Sequence, residues 1–314
     1  MDTIKGIKVE KPEFKNIEKY AKLLKQYHVN LYDYLPVGVA YDVSFDLVKS
    51  NAEISNLIWG GLMDECPTWR FQLVYESLES SDPAILFDDL QLRLNSTPIN
   101  QSYFNKHPDH AKKFKATVKF NNSSTTMKTL MTSDIDMGDE KIGRICENIP
   151  LIELSPGTNI AFNIIVEQGR GFDNATFCPI GGRQLTMDDH GETDIEPTDF
   201  KIGYTTKRNF DTPFEVMHVL LGALIERITH MEAVYNVTGQ QTLVTLMESS
   251  HIARVIARQI HEDVPHIEYV AASYDHPSRI KSFIKIQHPE ATEIFRSARK
   301  RVIARLVAID KQFD

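Results

Sequence analysis

Cysteine is scarce in this 314-residue chain: Cys66, Cys146 and Cys178 lie far apart and never form a C-x-x-C pair. Three thiols cannot all pair, so a disulfide framework and a four-cysteine zinc site are excluded, and the usage fits a reducing, intracellular setting. No apolar run approaches the roughly 18–20 residues of a membrane span. The opening MDTIKGIKVEKPEF lacks the apolar stretch of a secretory signal. Basic charge is not in excess either: 35 Lys and Arg face 43 Asp and Glu, a net charge of −8. That balance argues against a chain that grips nucleic acid alone over a broad basic surface, though not against a place in a complex whose other chains supply one.

Catalytic motifs are equally thin. The G-x-x-x-x-G-K-[ST] phosphate loop is missing, and Gly169-Arg170-Gly171 begins a G-x-G-x-x-G without completing it. It reads as a tight turn, since glycine tolerates positive φ. Neither serine nor cysteine occurs in a nucleophile-elbow context. His107-Pro108-Asp109-His110 would hold a metal only with help from another segment, and reads as a polar surface turn. Asp134, Asp136, Asp139 and Glu140 miss the EF-hand order and read as a solvated face. His251, at a helix start, and His276, in a turn, read as local hydrogen-bonding residues. A close Asp-x-Asp-x-Asp set to hold Mg2+ is also missing. The expectation is a chain without a catalytic site, metal or cofactor of its own.

What is present suffices for a globular protein: 42% of residues are hydrophobic and 25% charged, which excludes wholesale disorder. At roughly 150 residues per domain the length suggests about two domains. Residues 13–28 place Phe14, Ile17, Tyr20, Ala21 and Leu24 on one side of an amphipathic helix with lysines opposite. Residues 37–48 alternate, with Val39, Tyr41, Val43, Phe45 and Leu47 on one face of a strand. A helix follows over 52–65, weakened by Gly60-Gly61, then a strand over 69–77. From 101 to 200 the texture changes to short β-like runs between polar turns, including an acidic loop at 187–199. Thr212, Pro213 and Glu215 form a capping-box pattern for a helix over 213–235. Its apolar seam is Phe214, Met217, Leu221, Leu224, Ile228, Met231 and Tyr235. Beyond Gly239 come a strand from 241, a helix over 251–262, and two strands joined by a Pro-containing turn. The last helix, 290–313, carries Phe295, Ala298, Val302, Leu306, Ile309 and Phe313 at the same three-four spacing. Opposite that seam, Arg296, Arg299, Lys300, Arg301 and Arg305 read as a solvated face, or else as a docking surface for an acidic neighbour. Strand, helix, strand and long helix thus occur twice, at 37–77 plus 213–235 and again at 241–313.

The second copy resembles the smaller assembly-platform subunit of multisubunit DNA-directed RNA polymerase. The resemblance rests on Glu248-Ser249-Ser250-His251 at a helix start, Ile267 to Tyr274-Asp275-His276-Pro277, and Ile284-Lys285-Ile286-Gln287 before a long final helix. Ile252, Ala253 and Arg254 stand where that family usually has Thr, Leu and Gly. The first copy is similar to the larger partner. Asn56, Glu65, Pro67 and Thr68 match its Asn-x-Leu-Arg-Arg…Glu-x-Pro-Thr helix, with Trp59 and Gly60 in place of the Arg pair. Further likenesses, in family order, are Ile85 to Ile99, Thr132-Ser133-Asp134-Ile135, Leu154-Ser155-Pro156-Gly157, and Gly169 to Pro179. Bacterial α, archaeal D and L, and the eukaryotic α-like heterodimer are the relatives implied, here in one chain as in polymerases of large DNA viruses.

The resemblance implies an α+β fold in which two α-like dimerisation domains are fused as an internal pseudo-dimer, with a β-rich insert in the first. The expected division is a helical extension over 1–36, a first domain over 37–100 and 201–238, the insert over 101–200, and a second domain over 239–314. Phe214, Met217, Leu221, Leu224, Ile228, Met231, Phe295, Val302, Leu306 and Ile309 would form the pseudo-dimer interface. Asn56, Trp59, Glu65, Pro67, Gly169 and Gly171 would touch the large subunits, Trp59 through an apolar contact. The implied role is non-catalytic assembly of the two largest polymerase subunits, with a small polymerase subunit as a further partner. Sequence-specific nucleic-acid contact and membrane contact are not implied; in a viral setting the place would be the virion and host cytoplasm. Two other readings stay open: a regulatory binding module reusing the platform fold, and a hydrolase or transferase with a site gathered from His107, His110, Asp136 and His190.

Overall fold

The computed structural model describes residues 2–11, 17–26, 40–136, 149–187, 198–207, 209–276 and 280–314. Phe14, Val39, Asp139, Glu140, Cys146, His190 and Pro277, with most of the 187–199 loop, lie outside them. Among the described residues the fold is α+β, and every strand pairing is antiparallel.

Strand β1 (Thr3–Glu10), helix α1 (Ile17–Lys25), strand β2 (Asp42–Val48) and helix α2 (Ala52–Asp64) open the chain. In β2 the alternation works as expected: Val43, Phe45 and Leu47 are buried. Helix α2 starts where the Asn51 side chain accepts a hydrogen bond from the Ile54 amide at 2.9 Å. Gly60 and Gly61 stay inside the helix; a Cβ on Gly61 would come within 2.9 Å of Leu220 Cδ1, so the small residue permits close helix packing. Strands β9 (Ile180–Met187) and β10 (Phe200–Thr206) complete a sheet of order β1-β2-β10-β9, and helix α6 (Glu215–His230) follows it. The chain then forms β11 (Ala233–Thr238), β12 (Gln241–Leu246), helix α7 (Ser250–Asp263), β13 (Tyr269–Tyr274), β14 (Ser282–Gln287) and helix α8 (Ala291–Asp310). This second sheet has the order β11-β12-β14-β13. Hairpin, helix, hairpin, helix is therefore built twice, with the same strand order each time.

The helices meet in matching pairs: α2 packs on its counterpart α7, and α6 on its counterpart α8. One buried cluster runs through both sheets and all four helices, from Val43 to Phe313. Phe313, at the chain's end, lies edge-on to Phe45 of β2, with ring centroids 5.1 Å apart.

Residues between α2 and β9 form a second cluster with its own core, including Trp69, Leu90, Phe104 and Phe162. Strand β8 (Asn159–Arg170) is its spine. It pairs with β3 (Pro67–Leu73) and β4 (Glu79–Ser80) along one edge and with β5 (Lys115–Asn121) along the other. Strands β6 (Lys128–Met131) and β7 (Pro150–Leu154) form a separate ribbon, and α3 (Phe87–Ser96), α4 (Gln101–Lys106) and α5 (Pro108–Lys113) complete the region.

Strand pairing sets boundaries that differ from those read in the sequence. Residues 1–36 are not a purely helical extension, because β1 pairs with β2 along most of its length. Its lysines and exposed outer residues hid a strand of the kind that charged side chains protect at a sheet edge. The strand expected over 69–77 does not belong to the first repeat; β3 pairs with β8, and β9–β10 is the first sheet's second hairpin. The span 101–200 therefore yields β9 and the start of β10 to the first sheet, while the middle sheet takes β3 and β4 from before residue 101. That span also begins with the helices α4 and α5 rather than β-like runs. The helix expected to reach 235 stops at His230, and Tyr235 lies in β11, which pairs with β12 across the 238/239 boundary. The capping box at 212–215 does not form: Phe214 is the cap residue, and Glu215 accepts hydrogen bonds from Ser102 and Asn105 instead.

Candidate functional site

Residues from several distant segments converge at the seam between the two repeats. Most of the apolar seam residues read from the sequence are buried there: Met217, Leu221, Leu224, Ile228 and Met231 from α6 and its end, and Phe295, Val302, Leu306 and Ile309 from α8. Phe214 is partly buried and stacks at 5.6 Å on Phe313, the residue that also packs on Phe45. Tyr235, displaced onto β11, still meets Phe295 edge-on at 5.8 Å.

Polar ties fasten the same seam. Arg305 of α8 grips both carboxylate oxygens of buried Asp2 at 2.7 and 2.8 Å and also bonds Glu262 of α7 at 3.0 Å. Burial alone would raise the Asp2 carboxyl, but the hydrogen bonds and charge of Arg305 hold it below the ordinary carboxylate value. Arg299 donates to the carbonyls of Thr229 and Met231, at 2.6 and 3.2 Å, satisfying the last turn of α6. Asn51, the cap of α2, donates to Glu262 at 2.7 Å, and His218 of α6 meets Asp310 of α8 at 2.8 Å. Arg301 pairs with Asp263 and Arg296 with Glu293, so four of the five cations read as a solvated or docking face bind within the chain.

At one end of the seam lies a chain of charges. Glu65, just beyond α2, is buried and accepts hydrogen bonds from Arg227 of α6 and, at 3.5 Å, from Arg170 at the end of β8. Arg227 also bonds Glu248, two residues before α7. Burial acts to lower the Arg227 pKa, but the two carboxylates outweigh it and hold the guanidinium above its ordinary value. The middle sheet, the first repeat and the second repeat are thereby tied at one point. Glycines make the approach possible: a Cβ on Gly171 would overlap the Met63 carbonyl oxygen, and one on Gly169 would strike the Phe177 ring. Beside this network is a cavity of about 340 Å3, lined in part by Arg170, Phe172, His251, Arg254, Tyr274 and His276.

Of the six residues expected at a large-subunit contact, Glu65, Pro67, Gly169 and Gly171 come together here, Pro67 pairing with Arg170 and Thr68 with Gly169. Asn56 and Trp59 do not join them. Asn56 is exposed on α2, and the half-buried indole of Trp59 lies under the Arg183 guanidinium at 3.8 Å. Arg183 also donates to the Trp59 carbonyl at 2.8 Å. One face of the Trp59 ring is thus covered from within the chain. His107 and His110 sit beside Tyr103, whose hydroxyl meets His110 Nδ1 at 2.6 Å, whereas Asp136 follows another element and His190 is outside the described residues. Among the described residues no group of three His, Cys, Asp or Glu side chains is placed to hold a metal, and no helix is long and apolar enough to cross a membrane.

No protein-family model and no curated protein matches this chain.

Sequence reading passed over Arg227, Arg183 and the Asp2–Arg305 pair. Arg227 left one trace, as a charged residue one step before the buried Ile228 of the apolar seam. The partners of the other two lie more than a hundred residues away in sequence, which no local pattern reveals.

Proposed function

We propose that this chain is a non-catalytic assembly subunit of a DNA-directed RNA polymerase, with both α-like halves fused as an internal pseudo-dimer. The observation that carries the reading is the repeated strand order together with the pairing of counterpart helices, α2 on α7 and α6 on α8. Contact between equivalent elements is the mark of a two-fold, isologous interface, here within one chain. In this reading the region between α2 and β9 is the β-rich insert of the first half. The motif resemblance supplies the family, and the charge network at Glu65, Arg227 and Glu248 gives its matching Glu a structural role in holding the halves.

The proposed mechanism is geometric. The fused platform holds the two largest polymerase subunits in register so that their metal site and DNA cleft assemble, and a small polymerase subunit completes the group. Fusion replaces a bimolecular encounter with an effective concentration that can reach about millimolar, and it fixes the halves at one to one. A viral polymerase, in virion and host cytoplasm, is the setting that fits a single-chain form. Co-expression with the two largest subunits of the cognate polymerase tests this. The expected result is a stoichiometric complex that survives gel filtration; a chain that elutes free of both overturns it.

A further inference from the structure

A strand at the edge of a sheet offers unpaired backbone N–H and C=O groups to any strand that approaches, and folded chains blunt such edges with charges and bulges. The first sheet does so at both ends. Edge β1 carries Lys5 and Lys8, its register with β2 shifts between them, and Gly6 there takes a φ of 59°. Edge β9 carries Arg183, and its register with β10 shifts at Gly181. Edges of the middle region hold charges too, Arg70 in β3 and Lys115 and Lys119 in β5.

The second sheet lacks these devices. Its edge strands β11 and β13 contain no charged residue, glycine or proline, and each pairs with its neighbour over six residues without a shift. On β13 the exposed large side chains are Tyr269 and Tyr274, whose hydroxyls suit water. On β11 they are aliphatic and lie on both faces: Val234 on the outer side is 66% exposed and Val237 on the inner side 62%. Among the described residues no strand lies along the free edge of β11.

Strand β11 is also complementary to itself. Antiparallel pairing with β11 of a second copy, about a two-fold axis at Asn236, keeps inner side chains with inner and outer with outer. Tyr235 then falls opposite the second copy's Val237, an aromatic–β-branched pair of the kind that stabilises sheets. Val234 falls opposite the second copy's Thr238. Glu232, just before the strand, falls beside the second copy's Gln240 and not beside another acid, so the net charge of −8 raises no local repulsion along the edge.

We propose that the free chain docks on a second copy of itself through β11, joining the two second sheets, each of four strands, into one continuous sheet. The backbone groups of the open edge pair with each other, and the added strand covers Val234 and Val237. Both strands come from this chain, so the inference does not depend on the polymerase reading.

Sedimentation equilibrium of the full chain from about 1 to about 100 μM should show a reversible monomer–dimer equilibrium. Over the same range, hydrogen exchange at residues 233–238 should slow about fivefold or more while β13 exchanges at an unchanged rate. Val237→Lys and, separately, Asn236→Lys supply the missing cation and should each weaken dimerisation about tenfold or more. Directly opposite residues of an antiparallel pair have Cα atoms about 4.5–5.5 Å apart, within the roughly 4.4–6.8 Å that a disulfide spans. Oxidised glutathione should therefore link Asn236→Cys through position 236 of two copies, identified by peptide mass, whereas Ser273→Cys on β13 should not link to itself. The exchange data come from the unsubstituted chain and stand even if a variant does not fold. A chain that is monomeric at about 100 μM overturns the proposal, whether or not it binds polymerase subunits. So does β11 exchange that ignores concentration, a dimer unweakened by both lysine variants, or linkage through position 273 rather than 236.

Discussion

Across the sheet β1-β2-β10-β9 the outward rows read Lys5, Asp46, Lys201, Thr186 and Lys8, Ser44, Gly203, Gln184. The corresponding rows of β11-β12-β14-β13 read Val234, Thr245, Phe283, Ser273 and Asn236, Leu243, Lys285, Ala271, with Tyr269 in the next. The inner faces of both sheets feed one core, yet the outer face of the first is charged and hydroxylic while the second exposes Val234 at 66% and Leu243 at 38%. The connections differ as well. Between its helix and second hairpin the first repeat carries residues 65–179, a region with its own core, and the second carries only 264–268. One strand order therefore tolerates opposite surfaces and very unequal loops, because the shared core constrains only the inward residues.

The comparison can be broken most forcefully where the regions join. Arg227→Met leaves Glu248 without its cation and Glu65 with only the longer Arg170 contact, and removal of one partner from a buried pair costs about 3–5 kcal/mol. Urea denaturation should show that loss, and a variant within 1 kcal/mol of the parent would mean that the network does not hold the seam (~1 kcal/mol is an ordinary single hydrogen bond). Next in size, Leu221→Ala in the first repeat and Leu306→Ala in the second should each cost roughly 2–5 kcal/mol. Because both side chains are fully buried in one cluster, each should shift a single transition of both repeats. Two separate transitions would divide the core.

Asp2→Asn sharpens the comparison through pH. A carboxyl held below its ordinary value in the fold contributes stability that is complete above its unfolded pKa and fades as pH falls through the folded one. The variant should lose about 1.5–3 kcal/mol near neutrality, the range for hydrogen bonds to charged groups, and its deficit should shrink in acid. A deficit independent of pH between neutral and acid would refute the carboxylate's role. The smallest effects belong to the outer faces. Lys201→Ala on the first sheet and Leu243→Ser on the second should stay within about 0.5 kcal/mol of the parent, as surface substitutions usually do. Chemical denaturation of the pair tests whether the second sheet's apolar face matters to the fold.

Much of the secondary structure was legible locally. The burial of Val43, Phe45 and Leu47 follows from period-two alternation, and that of Phe295, Ala298, Val302, Leu306 and Ile309 from three-four spacing. Edge strand β1 was not legible, because its lysines face solvent and leave no apolar alternation. Of the seam site, Glu65, Gly169 and Gly171 could be singled out, but their partners could not.

The sequence by itself determined which residues must turn inward, where most helices and strands begin, and that such a pattern occurs twice. Those properties depend on neighbours within a few positions along the chain. Only the tertiary structure decided that β9–β10, not 69–77, closes the first sheet, and that Glu65, Arg227 and Glu248 form one network. It also decided that Trp59 lies under Arg183. Each of these depends on a pairing between distant segments, and hydrogen-bond registry and charge neutralisation select such partners only after the shared core has brought them together.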